Sequence, residues 1–387
     1  MQLVPSLERL GTETAFQVLA RAEALQRSGR DIINLGIGQP DFKTASHIVE
    51  AAVRALHDGH HGYTPAQGLL ALREAVAADL EQRHSTPVDA GNVVIMPGGK
   101  PTMFFAMLMF GAPGVEILYP DPGFPIYRSM IEYVGATPVP VALREENGFA
   151  FQADEVLSQI TNRTRLIILN SPGNPTGGVV PADELDRLAA GLAEHPSVAI
   201  LSDEIYSRQV YDGHTFRSLL RYEGLRDRLI VLDGWSKTYA MTGWRLGYGV
   251  WPEALVETVV RLAVNSFSCV NAPTQYAGIA ALEGPQDNVH DMARAFAERR
   301  TVIVDALNKL PGVRTVAPGG AFYAFANVTG TGMSSRVLQD LFLETAGVAT
   351  ISGTSFGING EGFIRFSYAN SAENIQEAMQ RIGDALS

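Results

Sequence analysis

Leu166-Ile167-Ile168-Leu169-Asn170-Ser171-Pro172-Gly173-Asn174-Pro175-Thr176-Gly177 is an aliphatic run that stops at a string of turn residues. Four apolar residues in a row, with no polar alternation, fit a strand covered on both faces, as in a parallel sheet. Four other stretches have the same form. Val93 to Met96 runs into Pro97-Gly98-Gly99-Lys100, and Ile117 to Tyr119 into Asp121-Pro122-Gly123-Phe124. Val198 to Leu201 runs into Ser202-Asp203-Glu204-Ile205-Tyr206, and Leu229 to Leu232 into Gly234-Trp235-Ser236-Lys237. Helix-like segments follow these turns, so the expected class is α/β, a large domain with a mainly parallel sheet sandwiched by helices. In such open sheets ligands bind beyond the carboxyl ends of the strands, so the five loops are expected to converge on one site.

The rest of the chain sets bounds. Its 387 residues are enough for a large domain and a satellite, and 46% hydrophobic with 18% charged residues excludes a disordered or fibrous class. A net charge of -11 argues against nucleic acid or an anionic membrane as a partner. The single cysteine, Cys269, provides neither an internal disulfide nor a structural zinc site. The N-terminal residues lack the basic-then-apolar pattern of a targeting segment, and the apolar run Met103 to Phe110 is too short to cross a bilayer. A soluble, cytoplasmic protein is expected.

A softer break falls near Pro285 to Asp291, before a helical pattern from His290 to Lys309 that Leu310-Pro311-Gly312 closes. Strand-like Val313 to Val316 and Ala321 to Phe325 follow, then a helix, the strand Phe363 to Phe366 and a last helix from about Glu373. With an N-terminal helix over Glu13 to Arg27, this predicts residues 40–288 as the large domain, and 1–39 with 289–387 as a smaller α+β domain built from both chain ends.

Short glycine motifs narrow the chemistry by exclusion. Gly98-Gly99-Lys100-Pro101 opens a helix and offers free backbone N–H groups to an anion. It is no Walker loop, because Val94 stands at the first required glycine and Pro101 where a magnesium-binding hydroxyl is needed. Gly36-Ile37-Gly38-Gln39-Pro40-Asp41 lacks the third glycine of a dinucleotide fingerprint. His57, His60 and His61 read as a solvated loop, since no acidic or cysteine ligands join them at metal-like spacing, and no metal is expected. Lysines are scarce: Lys43, Lys100, Lys237 and Lys309 are all there are. Lys237 alone follows a strand into an apolar loop, between Trp235 and Tyr239, where burial can depress an amine as a Schiff-base lysine requires.

The run Ser236-Lys237-Thr238-Tyr239-Ala240-Met241-Thr242-Gly243-Trp244-Arg245-Leu246-Gly247 resembles the pyridoxal-phosphate signature of class I/II aminotransferases, fold type I, nearest the prokaryotic aspartate-aminotransferase-like branch. Asn170 to Gly177, Asp203-Glu204-Ile205-Tyr206, His61-Gly62-Tyr63-Thr64-Pro65 and Phe363-Ile364-Arg365-Phe366-Ser367-Tyr368 match that family in its order. The resemblance implies that Lys237 holds pyridoxal 5'-phosphate covalently and then moves the substrate proton. Asp203 would face the pyridine nitrogen, Tyr206 and Asn174 the phenolic oxygen, and Phe124 the ring. Arg245, Ser236, the backbone of Gly99 and Lys100, and Tyr63 from a partner subunit would hold the phosphate, which implies a homodimer. Arg365, helped by Asn174 and the Gly38 backbone, would clamp the substrate α-carboxylate.

Relatives specific for dicarboxylates carry an arginine in the segment matching Asn265 to Asn271, or a lysine in the helix after the Gly-Gly turn. The first segment has no arginine here and Met103 to Phe110 is apolar, so a neutral or aromatic amino donor is expected. Ping-pong transamination between an amino acid and a 2-oxo acid is the expected reaction. β-Elimination from a sulfur amino acid and decarboxylation remain alternatives on the same scaffold. A ligand-sensing regulator is disfavoured by the acidic charge, and because Gly36 to Asp41 already matches the enzyme's start, leaving no room for a DNA-binding domain before it.

Overall fold

A computed structural model describes residues 1–387. Seven strands form the main sheet: β1 (Val93–Met96), β2 (Glu116–Asp121), β3 (Thr137–Ala142), β4 (Thr164–Asn170), β5 (Ala199–Asp203), β6 (Leu229–Gly234) and β7 (Gly247–Val250). Their spatial order is β1-β7-β6-β5-β4-β2-β3, and every pairing is parallel except the two made by β7. All five strands expected from the sequence are present, within a few residues at either end.

The unbroken apolar runs have a simple physical cause. Ile95, Leu118, Ile167, Ile200 and Val231 enter one buried cluster, while their neighbours Val94, Ile117, Ile168, Leu201 and Ile230 enter another. Successive side chains point to opposite faces of a sheet, so a strand covered by helices on both sides must be apolar at every position. Each such side chain contributes about 1.5–3 kcal/mol by leaving water.

Two strands were not foreseen. β3 reads Thr-Pro-Val-Pro-Val-Ala and pairs only with β2, an edge position where proline is tolerated. β7 reads Gly-Tyr-Gly-Val; all four residues are buried, but its glycines have no apolar side chain to show it in sequence. Conversely, Val313 to Val316 is no strand, contributing only an isolated bridge from Arg314 to Asn327.

A second sheet, β8 (Tyr323–Asn327), β9 (Ile351–Ser352) and β10 (Phe363–Ser367), is antiparallel in the order β9-β10-β8. It shares a separate core with the helices Asp287–Leu307 and Ala372–Leu386, and Ile33 and Leu35 from the N-terminal part join that core. The two-residue strand Ile33–Asn34 pairs with Val348–Ala349, tying the chain ends together. The helix Thr14–Arg27 starts one residue later than expected, leaving Glu13 at its N-cap. No helix is long and apolar enough to cross a membrane.

Candidate active site

A cavity of about 500 Å³ opens where β1, β2, β4, β5 and β6 end, with residues from both chain termini closing its far side. Of the residues singled out from the sequence, Gly38, Gly99, Lys100, Phe124, Asn174, Asp203, Tyr206, Ser236, Lys237, Arg245 and Arg365 all line it. Tyr63 does not; it is 93% exposed on the surface.

Lys237 sits in a one-turn helix, Trp235–Thr238, that follows β6 directly. Its amine donates to the carbonyl of Gly38 and lies over the rings of Tyr206 and Phe322 at 5.9 and 5.7 Å. A Cβ on Gly38 would stand 2.2 Å from the hydroxyl of Tyr323, so glycine here leaves room for that tyrosine against the backbone. Burial, then the positive charge of Arg365, pushes the amine down to about 8, against the opposing pull of Glu13 and Asp203. The neutral form therefore becomes the majority above pH 8, whereas an ordinary lysine waits until about 10.4. In cofactor-free protein, Lys237 is expected to react with a small aldehyde under reducing conditions with a rate that levels off just above pH 8. Peptide mapping across pH 6 to 11 measures this, and an apparent pKa near 10 would contradict it.

Asp203 ends β5, its carboxyl buried in the cavity wall. Its Oδ2 accepts the Tyr127 hydroxyl at 2.6 Å. Burial raises this carboxyl to about 6, opposed by the hydrogen bonds from Tyr127 and the Ile205 N–H. Tyr127 belongs to the helix Pro125–Tyr133 and was not anticipated. It lies one turn after Phe124, and a buried aromatic on an amphipathic helix carries no mark in sequence that separates it from core.

Arg365 projects from the middle of β10 and is 3% exposed. One Nη donates to Asn174 Oδ1 at 2.8 Å and the other to the Gly36 carbonyl. Its plane lies against the rings of Tyr323 and Phe356, 4.6 and 4.7 Å away, while its Nε is buried without a partner. No carboxylate pairs with it among the ion pairs of the fold. A buried, unpaired guanidinium is costly to maintain, so the site is built to receive an external anion. Tyr323 also meets the Tyr206 hydroxyl at 2.8 Å, and it too escaped the sequence reading. Asn174 thus contacts Arg365 directly.

The turn after β1 forms the other end. Gly98 has φ 88°, and a Cβ there would stand 2.1 Å from an Arg245 Nη, so the guanidinium packs directly on the turn's backbone. Arg245 is held by the Thr242 carbonyl at 2.7 Å. The helix after the turn begins at Lys100, not Met103. Pro101 lies in its first turn and Met103 to Phe110 is apolar, as expected, but its first side chain is a cavity lysine, which corrects the expectation that this helix offers none. The Lys100 ammonium pairs with Glu13. Of the histidines, His61 is bonded to the Leu56 carbonyl at 2.8 Å and His60 stacks on Tyr276.

Such a site, with a half-buried amine of depressed pKa, a buried carboxyl and an unpaired guanidinium at the carboxyl ends of a mainly parallel sheet, defines a class of amine-handling α/β enzymes. The family model for aminotransferase class I and II matches residues 30–382, and the chain belongs to that family. It is 39% identical over 368 residues to an aspartate aminotransferase of Pyrococcus horikoshii, covering 94% of this chain and 93% of that one. It is equally 39% identical to the aromatic-amino-acid aminotransferase 2 of Thermococcus litoralis, over 92% of each. The crystal structure of the aspartate aminotransferase from Rhizobium meliloti superposes with a TM-score of 0.95 at 33% identity, covering 100% of this chain and 99% of that one. The protein is an aminotransferase of fold type I, from a family that generally depends on pyridoxal phosphate.

Proposed function

We propose that this chain binds pyridoxal 5'-phosphate in the cavity and exchanges an amino group between a neutral or aromatic amino acid and a 2-oxo acid by a ping-pong cycle. The observation that carries the reading is a pair: the half-buried Lys237 amine and the buried, carboxylate-free Arg365 guanidinium face one cavity. The first suits an amine that must shed and regain a proton near neutrality, the second a substrate α-carboxylate.

The donor set fits the cofactor. Gly99, the Lys100 backbone, Ser236 and Arg245 gather N–H groups, a hydroxyl and a cation suited to a phosphate at a helix start. Asp203 would offer its buried carboxylate to a protonated ring nitrogen, Phe124 would cover the ring, and the Tyr206 hydroxyl and Asn174 amide would meet the phenolic oxygen; all four residues line the cavity. When bound, this cofactor supplies an electron sink for the carbanion formed at the substrate α-carbon. Lys237 takes the proton from that carbon and returns it elsewhere; Arg365 and the Gly38 backbone keep the α-carboxylate, and so the breaking bond, in one orientation. Apolar lining from Phe16, Ile37, Met103, Ile351 and Phe356 supports an uncharged substrate side chain.

Residues 40–288 are read as the cofactor-binding unit, and 1–39 with 289–387 as the smaller unit that closes over it. A cytoplasmic homodimer completes the reading. Its support is Tyr63, an aromatic at 93% exposure whose role requires a partner subunit to bury it. Tyr63→Phe is expected to leave the sedimenting dimer intact and to weaken cofactor retention by about ten- to a hundredfold, the worth of one hydrogen bond to a charged group. A monomer in sedimentation, or unchanged retention, would contradict it. The test of the function is a panel: each amino acid is mixed with the cofactor-loaded protein, and bleaching of the visible absorbance identifies donors. Phenylalanine-like or neutral donors are expected to bleach it; no response to any amino acid would refute the reading.

A further inference from the structure

Lys100 is the first residue of the helix Lys100–Phe110, so the glycine turn before it fixes where its side chain starts. Its ammonium is bound by the Glu13 carboxylate and lies over the rings of Phe124 and Phe16 at 5.6 and 5.8 Å. Glu13 stands at the N-cap of the helix Thr14–Arg27, where a carboxylate ordinarily turns back to the free N–H groups. Here it makes no capping bond and turns to the cavity instead, with its side chain 14% exposed against 47% for Lys100. The remaining cavity cations are held by neutral groups: Lys237 by the Gly38 carbonyl, Arg245 by backbone carbonyls, Arg365 by Asn174 and Gly36. Lys100 is the one that a protein carboxylate neutralises. The negative charge of Glu13 also reaches deeper, opposing the downward shifts of both Lys237 and Arg365.

We propose that Glu13 is a specificity-determining residue: its carboxylate occupies the one cavity ammonium that a carboxylate on a substrate side chain would otherwise reach, turning the enzyme toward donors with uncharged side chains. The inference takes its substrate class from the aminotransferase function proposed above. A second carboxylate arriving at Lys100 must either displace Glu13, leaving that half-buried charge unpaired, or sit beside it against like-charge repulsion. Because the pair is partly open to water, the discrimination it supplies is modest, about fivefold.

The test replaces Glu13 by glutamine, which keeps the side chain's length and removes its charge, and by serine, a good N-cap, as a second variant. In the cofactor-loaded protein, Glu13→Gln is expected to raise the ratio of kcat/KM for aspartate over phenylalanine about fivefold or more, mostly through a lower KM for aspartate. Calorimetry is expected to show the non-reacting dicarboxylate maleate binding tighter by a similar factor, with the monocarboxylate hydrocinnamate shifted by less than about twofold. Glu13→Ser should do the same, and adding Lys100→Met should erase both gains. An unchanged ratio and maleate affinity in both single variants, or a gain that survives loss of the lysine, overturns the proposal. If the wild-type protein turns over neither amino acid, the function proposed above fails, while the maleate measurement still decides the role of Glu13.

Discussion

Lys237→Ala is expected to abolish transamination, with a loss of about 10^4-fold or more, and to prevent any covalent capture of the cofactor. Removing a positioned general base costs up to about 10^4-fold by itself, and the same side chain is proposed to be the covalent anchor. Substitution by another amine is restricted by composition: only Lys43, Lys100 and Lys309 remain, and of these only Lys100 lines the cavity, where Glu13 binds it. Borohydride reduction followed by peptide mapping measures the capture directly. The label should fall on Lys237 in the wild-type protein and on no residue in the variant. Folding should survive, because the native state holds this amine at about 8 and so gains nothing from its charge. A variant that still bound cofactor covalently, or that kept more than a hundredth of the activity, would show that another group does the chemistry.

Asp203→Asn is expected to have the next largest effect, slowing the amino-acid half-reaction by on the order of 10^2- to 10^3-fold while leaving covalent capture by Lys237 intact. The carboxylate is proposed to keep the ring nitrogen protonated; an amide of the same shape offers no negative charge. Tyr127, which donates to Oδ2 at 2.6 Å, could still donate to the amide oxygen, so the fold around the site should hold. The expected signature is a split between capture and turnover, which separates an electrostatic role from a structural one. The wild-type pH profile follows the same logic. Burial raises this carboxyl to about 6 in the cofactor-free protein, so below pH 6 it binds a proton, and cofactor affinity should fall as pH drops through that value. Equal losses of capture and turnover in the asparagine variant would contradict the assignment.

How much of this was legible in the sequence depended on what each residue's neighbours had to be. Strands such as Val93–Met96 announced themselves because helices cover both faces and force every position to be apolar. β3 and β7 were silent because neither shows an unbroken apolar run: prolines interrupt the half-covered edge strand β3, and two of the four buried residues of β7 are glycines. The loops after the strands could be read as one site because a parallel sheet puts their ends on one side, and Lys237, Asp203 and Arg365 do meet there. Tyr127 and Tyr323 escaped because their hydroxyls act on partners 76 and 117 residues away, Asp203 and Tyr206. Lys100 was placed at the turn, but its partnership with Glu13 spans 87 residues and no local pattern encodes it.

The most direct test of the central claim follows the nitrogen. The cofactor-loaded protein is given phenylalanine carrying 15N in its amino group together with an unlabelled 2-oxo acid, and the products are resolved by mass spectrometry. The proposed transfer yields phenylpyruvate and a new amino acid carrying the label, in equal amounts, with no free labelled ammonia. Labelled ammonia without a labelled amino acid would contradict it and place the chain among eliminating enzymes.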